Sequence, residues 1–482
     1  MNPVGGSTLR RRVGLAVLVS AQFVVMLDTA VVNVALPSIQ HDLHLTQTGV
    51  AWVVNAYFLA FGGFLLLSGR AADLFGRRRM FMAGAALFTA ATLLAGIAPT
   101  ETVLVVARAL QGLGAAVLSP SALSVILVEF PGASRAKAMS AWGAASAAGG
   151  AVGVSVGGLV TASLGWQWVF FITIPITLLA LVSARFLFSA DSGERIRRTF
   201  DVFGAITITG AALALIYATL SVVDRGWFSV ETIGGALTGV ALLVAFVFIE
   251  RSAADPIVPL ALFRQRSVSA GVIIGLLGGA ARVSTFLLSA LYLQQVLLLA
   301  PNAAGIAMLP TSVAGFVVSL LLLPRILRAI GPERTLMLGL LLLAAGHLWL
   351  ARNPAGPTYS LDVLPGLLVA AAGVALSFTP STMVIASGVP AAQSGLASGL
   401  ANASSQVGGA IGIAAFSAVA AARVQEQVSA GATASESIAY GLQGSFAAAA
   451  IAALVAAAFA FRVVRGRPRP LTTPVTESAV RR

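Results

Sequence analysis

Three ionisable residues stand inside stretches that are otherwise apolar: Asp28, Arg108 and Arg282. A charged side chain at the centre of a membrane helix costs roughly 2.5–3.5 kcal/mol on insertion scales, so each needs a reason to be there. An aspartate in such surroundings is a candidate proton carrier; the plainer reading is a carboxyl that only holds helices together by hydrogen bonds. Arg108 is then either its partner or its competitor in a proton-dependent switch, or a structural cation bonded to backbone carbonyls. Hydrolytic and redox chemistry find no support. Cysteine is absent, and His41, His44 and His347 are too few and too scattered for a metal centre. There is no serine–histidine–acid spacing, and no Walker loop with its lysine. We therefore expect no enzyme, no cofactor, no metal and no ATPase motor. An ion gradient is the remaining energy source, with protons as the coupling ion.

The elements that must carry these residues follow from composition. Of 482 residues, 58% are hydrophobic and 10% charged, against about 25% charged in soluble proteins. The apolar residues come in blocks of roughly 18–25, long enough to span a bilayer as helices. The alternation of a membrane barrel is missing. The net charge of +13 sits in short loops and tails, which points to membrane orientation and not to nucleic acid. Fourteen helices are expected, at about 13–37, 50–68, 80–98, 102–127, 138–161, 167–188, 202–222, 232–249, 270–298, 303–323, 334–351, 361–385, 396–421 and 443–463. The first follows Arg10-Arg11-Arg12 with no evident cleavage site and reads as a retained helix.

The stretch from Gly69 to Arg79 is a charged island between two apolar runs and reads as a tight loop. Its arginine excess places it in the cytoplasm. From there the count puts both termini inside, with 25 of the 30 basic residues in cytoplasmic loops and tails. Arg225, Arg352 and Arg423 fall outside. A fainter copy of the island, Arg325, Arg328, Gly331 and Arg334, sits in the loop between helices 10 and 11. That echo divides the chain into a six-helix bundle over 13–188, a linker with two additional helices over 189–269, a second six-helix bundle over 270–463, and a disordered cytoplasmic tail over 464–482.

Asp28 lies about nine residues, or roughly 13 Å, inside Pro37, and Arg108 lies at a similar depth. Arg282 is too deep to snorkel easily and is expected to face a water-filled cavity or an internal partner. Asn33, Tyr57, Arg282, Tyr292, Gln294, Asn402 and Gln406 are candidates to line a substrate cavity. Trp52, Trp166 and Trp168 read as interfacial anchors. Gly149, Gly153 and Gly157 form one stripe on helix 5, with Gly158 beside it, and so a packing seam. Gly395, Gly399, Gly408, Gly409 and Gly412 form a second on helix 13.

Together these stretches resemble the major facilitator superfamily, in its fourteen-helix branch of drug:proton antiporters. Gly69–Arg79 is similar to the superfamily's signature loop, and Leu27–Pro37 to the helix 1 motif of that branch. Trp52 with Tyr57 through Leu59, Arg108 through Gly112, Trp166 through Ile172, and Gly395 through Gly412 match further family patterns. Two positions depart. Val154 stands where the helix 5 motif has proline, and Ser405 where relatives often carry arginine. The resemblance implies an all-α polytopic membrane protein with two six-helix bundles plus two extra helices. It implies alternating access, Asp28 and Arg108 in proton coupling, and a conformational latch of Gly69, Asp73, Gly76, Arg77 and Arg78. The implied protein is a multi-pass antiporter of the bacterial inner membrane that acts as a monomer among membrane lipids and exports small amphiphilic drugs or antibiotics. A dedicated exporter of one neutral or anionic natural product, lipid or amino acid is the alternative. A non-transporting sensor or scaffold is the alternative of another class.

Overall fold

The computed structural model describes residues 4–188, 201–253, 255–352 and 357–465. The expectations for the loop at 189–200 and for the tail beyond 465 lie outside these residues. Fourteen helices are described. They are α1 (Val4–Asp42), α2 (Gln47–Phe75), α3 (Arg77–Gly96), α4 (Glu101–Glu129), α5 (Ala133–Leu164) and α6 (Trp168–Leu187), the last broken by a turn at Ile172–Thr173. Next come α7 (Val202–Arg225), α8 (Val230–Ser252) and α9 (Arg266–Gln295). The run from Pro301 to Leu350 is two helices, α10 over 301–330 and α11 over 332–350. The chain closes with α12 (Tyr359–Ser387), α13 (Ser394–Ser429) and α14 (Ala434–Arg465). Side-chain oxygens start several of them: Thr46 accepts from Gly49 N, Thr100 from Val103 N, Asp201 from Gly204 N and Ser229 from Thr232 N.

Twelve segments among the described residues are long and apolar enough to cross a membrane. One of them, Ala303–Leu350, has 48 residues, or roughly 72 Å of helix against a hydrocarbon core of about 30 Å. It bends at Gly331 (φ 80°, ψ 168°). α5 is not among the twelve.

Two expected boundaries differ for identifiable reasons. Pro37 does not end α1, which continues to Asp42. Proline removes one hydrogen bond to the carbonyl four residues back, a loss that packed membrane helices tolerate. The charged island is not an eleven-residue loop. α2 runs on through Phe75, α3 starts at Arg77, and the turn is Gly76 alone at φ 102°. A side chain is strained at that φ, so glycine is required. Gly331, at the fainter copy of the island, turns α10 into α11 in the same way.

The helix pairs pack through missing side chains. A methyl at Gly149 would lie 2.8 Å from Met26 Cβ, and one at Gly153 2.6 Å from Ala30 Cβ, so the α5 stripe rests directly on α1. Gly157 continues this seam against Val31, whereas Gly158 sits at an ordinary 3.8 Å from Val34. The α13 stripe divides: Gly395 and Gly399 meet α2 at Gly69, while Gly408, Gly409 and Gly412 meet α9. α7 packs on α2 and α13, and α8 rests mainly on α7.

Filling the α1–α5 seam tests this packing. Overpacking a tight contact costs about 1–3 kcal/mol. Gly153→Leu is expected to lower the unfolding temperature in detergent by several degrees. Gly150→Ala, one turn away in open space, leaves it unchanged or slightly raised.

Candidate functional site

Asp28, Arg108 and Gln111 form one buried cluster. Arg108 projects from α4 and Asp28 from α1, and they are 1% and 0% exposed. Arg108 Nη1 donates to Asp28 Oδ2 at 2.7 Å and to Gln111 Oε1 at 2.6 Å. Gln111 Nε2 donates to the other carboxylate oxygen at 2.6 Å and to Thr92 Oγ1 of α3 at 2.8 Å. Arg108 Nε donates to the Val53 carbonyl of α2 at 3.1 Å. The Tyr57 ring covers the guanidinium at 4.4 Å from its centroid. Four helices thus converge on one carboxylate, and both of its oxygens are occupied.

The local sequence explains the convergence. Gln111 lies three residues after Arg108, on the same face of α4. Gly112 lets α4 press against the backbone of Tyr57, which brings the tyrosine ring over the arginine. The α1–α5 seam holds the helix that carries Asp28 from the other side. Gln111 and Thr92 are the residues that the sequence reading did not single out as part of the site. The only signal was an amide one turn from an intramembrane arginine.

The cavity candidates differ in exposure and in partners. Tyr57 is 1% exposed and packs in the core, stacked on Phe61. Tyr292 is also buried, edge-on to Phe446 of α14 at 6.3 Å between centroids. Gln294 is exposed at the end of α9, and Asn33 is exposed on α1. Asn402 is half-buried and donates to its own helix at Ser398 O; Gln406 is half-buried one turn further on. Arg282 is 4% exposed; its Nη2 reaches Ser405 Oγ at 3.3 Å. Trp168 is exposed, as an interfacial anchor would be. Trp166 is not: it is buried, and its indole N–H donates to Asp42 Oδ2 at 3.1 Å, tying the α5–α6 turn to the end of α1.

The Gly69–Arg79 region crosses between the first and last six helices. Asp73 accepts from Gly395 N and Leu396 N, both at 2.8 Å, at the start of α13. A carboxylate there meets the positive end of the helix dipole. Arg77 bonds Asp73 at 3.3 Å and Ala392 O at 3.2 Å. Arg78 does not cross; it bonds Phe188 O, beside α6. Arg70 bonds Pro256 O in the segment after α8. The other hydrogen bonds described between α1–α6 and α9–α14 are Ser124 with Ser394, Ser398 with Pro120 O, and Thr379 with Met139 O. All of them lie toward this arginine-rich end. A cavity of about 310 Å³ at the same end, between α5 and α10, is lined by Lys137, Arg325 and Arg328 among others and is separate from the Asp28 cluster.

Comparison with known proteins places this geometry. The family model for the Major Facilitator Superfamily matches residues 18–413. The puromycin resistance protein pur8 of Streptomyces alboniger is 38% identical over 420 residues, covering 86% of this chain and 82% of that protein. The multidrug resistance protein Stp of Mycobacterium tuberculosis is 35% identical, covering 83% and 74%. The tetracenomycin C resistance and export protein of Streptomyces glaucescens is 34% identical, covering 85% and 76%. Among solved structures, the proton:xylose symporter XylE superposes with a TM-score of 0.67 at 17% identity, over 94% of this chain and 95% of that one. That likeness speaks to the fold. The chain belongs to the major facilitator superfamily. It is a multi-pass membrane transporter of bacterial type and not an enzyme.

The cluster predicts a non-additive pair of variants. Removing one member of a buried ion pair costs about 3–5 kcal/mol, because the other charge is left unpaired. Arg108→Gln is expected to destabilise the purified protein by an amount in that range. The double variant Asp28→Asn/Arg108→Gln recovers much of the loss, as measured by unfolding in detergent.

Proposed function

We propose that this chain is a proton-coupled antiporter that exports amphiphilic drug-like or antibiotic-like molecules across the bacterial cytoplasmic membrane by alternating access. The observation that carries the reading is the Asp28 carboxylate, fully buried and held between Arg108 and Gln111. The names of the relatives point the same way. Counting α5 as a span and the bent α10–α11 run as two gives fourteen, which puts both termini in the cytoplasm. The halves are then 13–188 and 270–463, with 189–269 joining them and 464–482 as a cytoplasmic tail. The arginine-rich end is the inner one under the bias of basic residues toward the cytoplasm. Its cross-half hydrogen bonds close that end, so the conformation faces outward.

In this reading an external proton competes with Arg108 for Asp28. A neutral Asp28 no longer holds Arg108, and the loosened α1–α4 contact favours the inward-facing state. There the outgoing molecule binds as the proton leaves to the cytoplasm. The restored ion pair accompanies the return outward. Gly69, Asp73, Gly76 and Arg77 serve as the inner latch, since Asp73 must leave the N-terminus of α13 for that end to part. Arg78 steadies α3 on its own half. Asn33, Asn402 and Gln406 are the polar groups best placed to meet substrate. The protein works as a monomer in contact with membrane lipids, and needs no cofactor and no nucleic acid.

Inverted vesicles test this directly. Wild-type vesicles with an acidic lumen are expected to accumulate fluorescent amphiphiles, and a protonophore abolishes the accumulation. Asp28→Asn is expected to lose proton-driven uptake by at least about tenfold when compared with wild type at equal amounts of folded protein. Uptake in Asp28→Asn equal to wild type removes Asp28 from coupling. Failure of folded wild type to accumulate any amphiphile overturns the exporter reading.

A further inference from the structure

The two buried membrane arginines are not equivalent. Arg108 has a carboxylate, an amide, a backbone carbonyl and an aromatic face. Arg282 is as deeply buried, at 4% exposure, yet forms no ion pair among the described residues. Among the described residues its single hydrogen bond is a long one, Nη2 to Ser405 Oγ at 3.3 Å, and Nε and Nη1 have no partner there. The buried acids cannot serve it. Asp28 is taken by Arg108, and Glu250, on α8, accepts from Ile257 N and Val258 N. Guanidinium stays protonated in proteins, so the site keeps a positive charge. A buried charge without a partner is costly, and a site that retains one is built for a charge that arrives.

The surroundings favour a planar anion with an apolar body. The guanidinium lies 6.0 Å from the ring centroid of Phe378 on α12. Phe378 packs against the core cluster that includes Tyr57, Phe61 and Trp142, so it stands where the two halves meet. On α9 itself, Nη1 lies against Gly278, where no side chain intrudes. The unpartnered Nε and Nη1 leave donors on two edges of the guanidinium, beside the Ser405 hydroxyl, and such a charged donor group suits a carboxylate, while the ring beside them suits an aromatic or other apolar scaffold.

We propose that Arg282, with Ser405 and Phe378, is a counter-charge site for an organic anion, and that the preferred exported molecules carry a carboxylate or similar acidic group on an apolar body. This rests on the exporter reading and narrows its substrate class. Asp28 and Arg108 handle the proton, and Arg282 selects by charge.

Proteoliposomes with one fluorescent aromatic scaffold in three forms test the assignment: a carboxylate, its methyl ester and a matched amine. In wild type the carboxylate is expected to be exported at least about tenfold faster than the ester, with the amine slowest. Arg282→Gln is expected to remove that preference, cutting carboxylate flux about tenfold while ester flux stays within about twofold. Arg282→Lys retains part of the preference. Wild-type preference for the amine overturns the proposal, as does an equal loss of all three fluxes in Arg282→Gln, which marks Arg282 as structural. Flux that rises with chloride but does not discriminate among the probes also overturns it, in favour of an inorganic anion. Each of these outcomes leaves the exporter reading standing. Only the absence of any proton-driven flux in folded wild type fails that reading itself.

Discussion

A carboxylate sealed inside a membrane protein has to be neutralised, and the arrangement of the first four helices follows from that requirement. Asp28 is fully buried, so its charge is tolerable only because Arg108 and Gln111 occupy both oxygens. Arg108 in turn reaches α2 through Val53 and is roofed by Tyr57, and Gln111 reaches α3 through Thr92. None of these contacts forms unless the helices lie unusually close. Gly112 supplies that closeness between α4 and α2, and Gly149, Gly153 and Gly157 supply it between α5 and α1. Small residues at helix contacts are the usual means of close approach in lipid, where no hydrophobic drive brings helices together. A proton arriving at Asp28 would act on four helices at once.

The first six and last six helices share a turn device but not their charges. Each has a single glycine of positive φ at the matching turn, Gly76 in one and Gly331 in the other. At the first of these turns an acid caps the start of a helix from the last six, Asp73 on α13. The first half holds a matched ion pair in its interior and the second an unmatched arginine, Arg282. Ser405, which the resemblance set against an arginine in the family pattern, is the residue that Arg282 touches. A positive charge is thus present beside that face, supplied from α9. In the proposed reading this asymmetry separates proton handling from charge selection along the chain.

How far the sequence was legible depended on the kind of signal. Long apolar runs marked all fourteen helices, because the cost of leaving backbone unpaired in hydrocarbon forces helical spans. Helix ends were less legible: charge at Gly69–Arg79 suggested a loop, whereas charged residues extend a helix readily once it has left the hydrocarbon. Asp28 and Arg108 were visible as expensive residues, and their pairing was one of two stated options. Gln111 carried no charge and so no cost signal, although it bonds both partners. Aromatic residues carried little signal about their surroundings. Trp166 looked interfacial but is buried on Asp42, and the packing of Tyr292 on Phe446 had no counterpart in the sequence pattern. Composition records which residues are costly; it does not record which way a helix face turns.

The central claim is that the exchanged proton resides on Asp28 and that substrate binding is coupled to its release. It is tested most directly by proton release from purified protein in weakly buffered detergent solution, followed as a transported amphiphile is added. The account predicts that wild type releases protons on binding, with a dependence on amphiphile concentration that follows occupancy, and that Asp28→Asn binds the same compound with no release. Equal proton release from both proteins would contradict it, because the exchanged proton would then reside elsewhere.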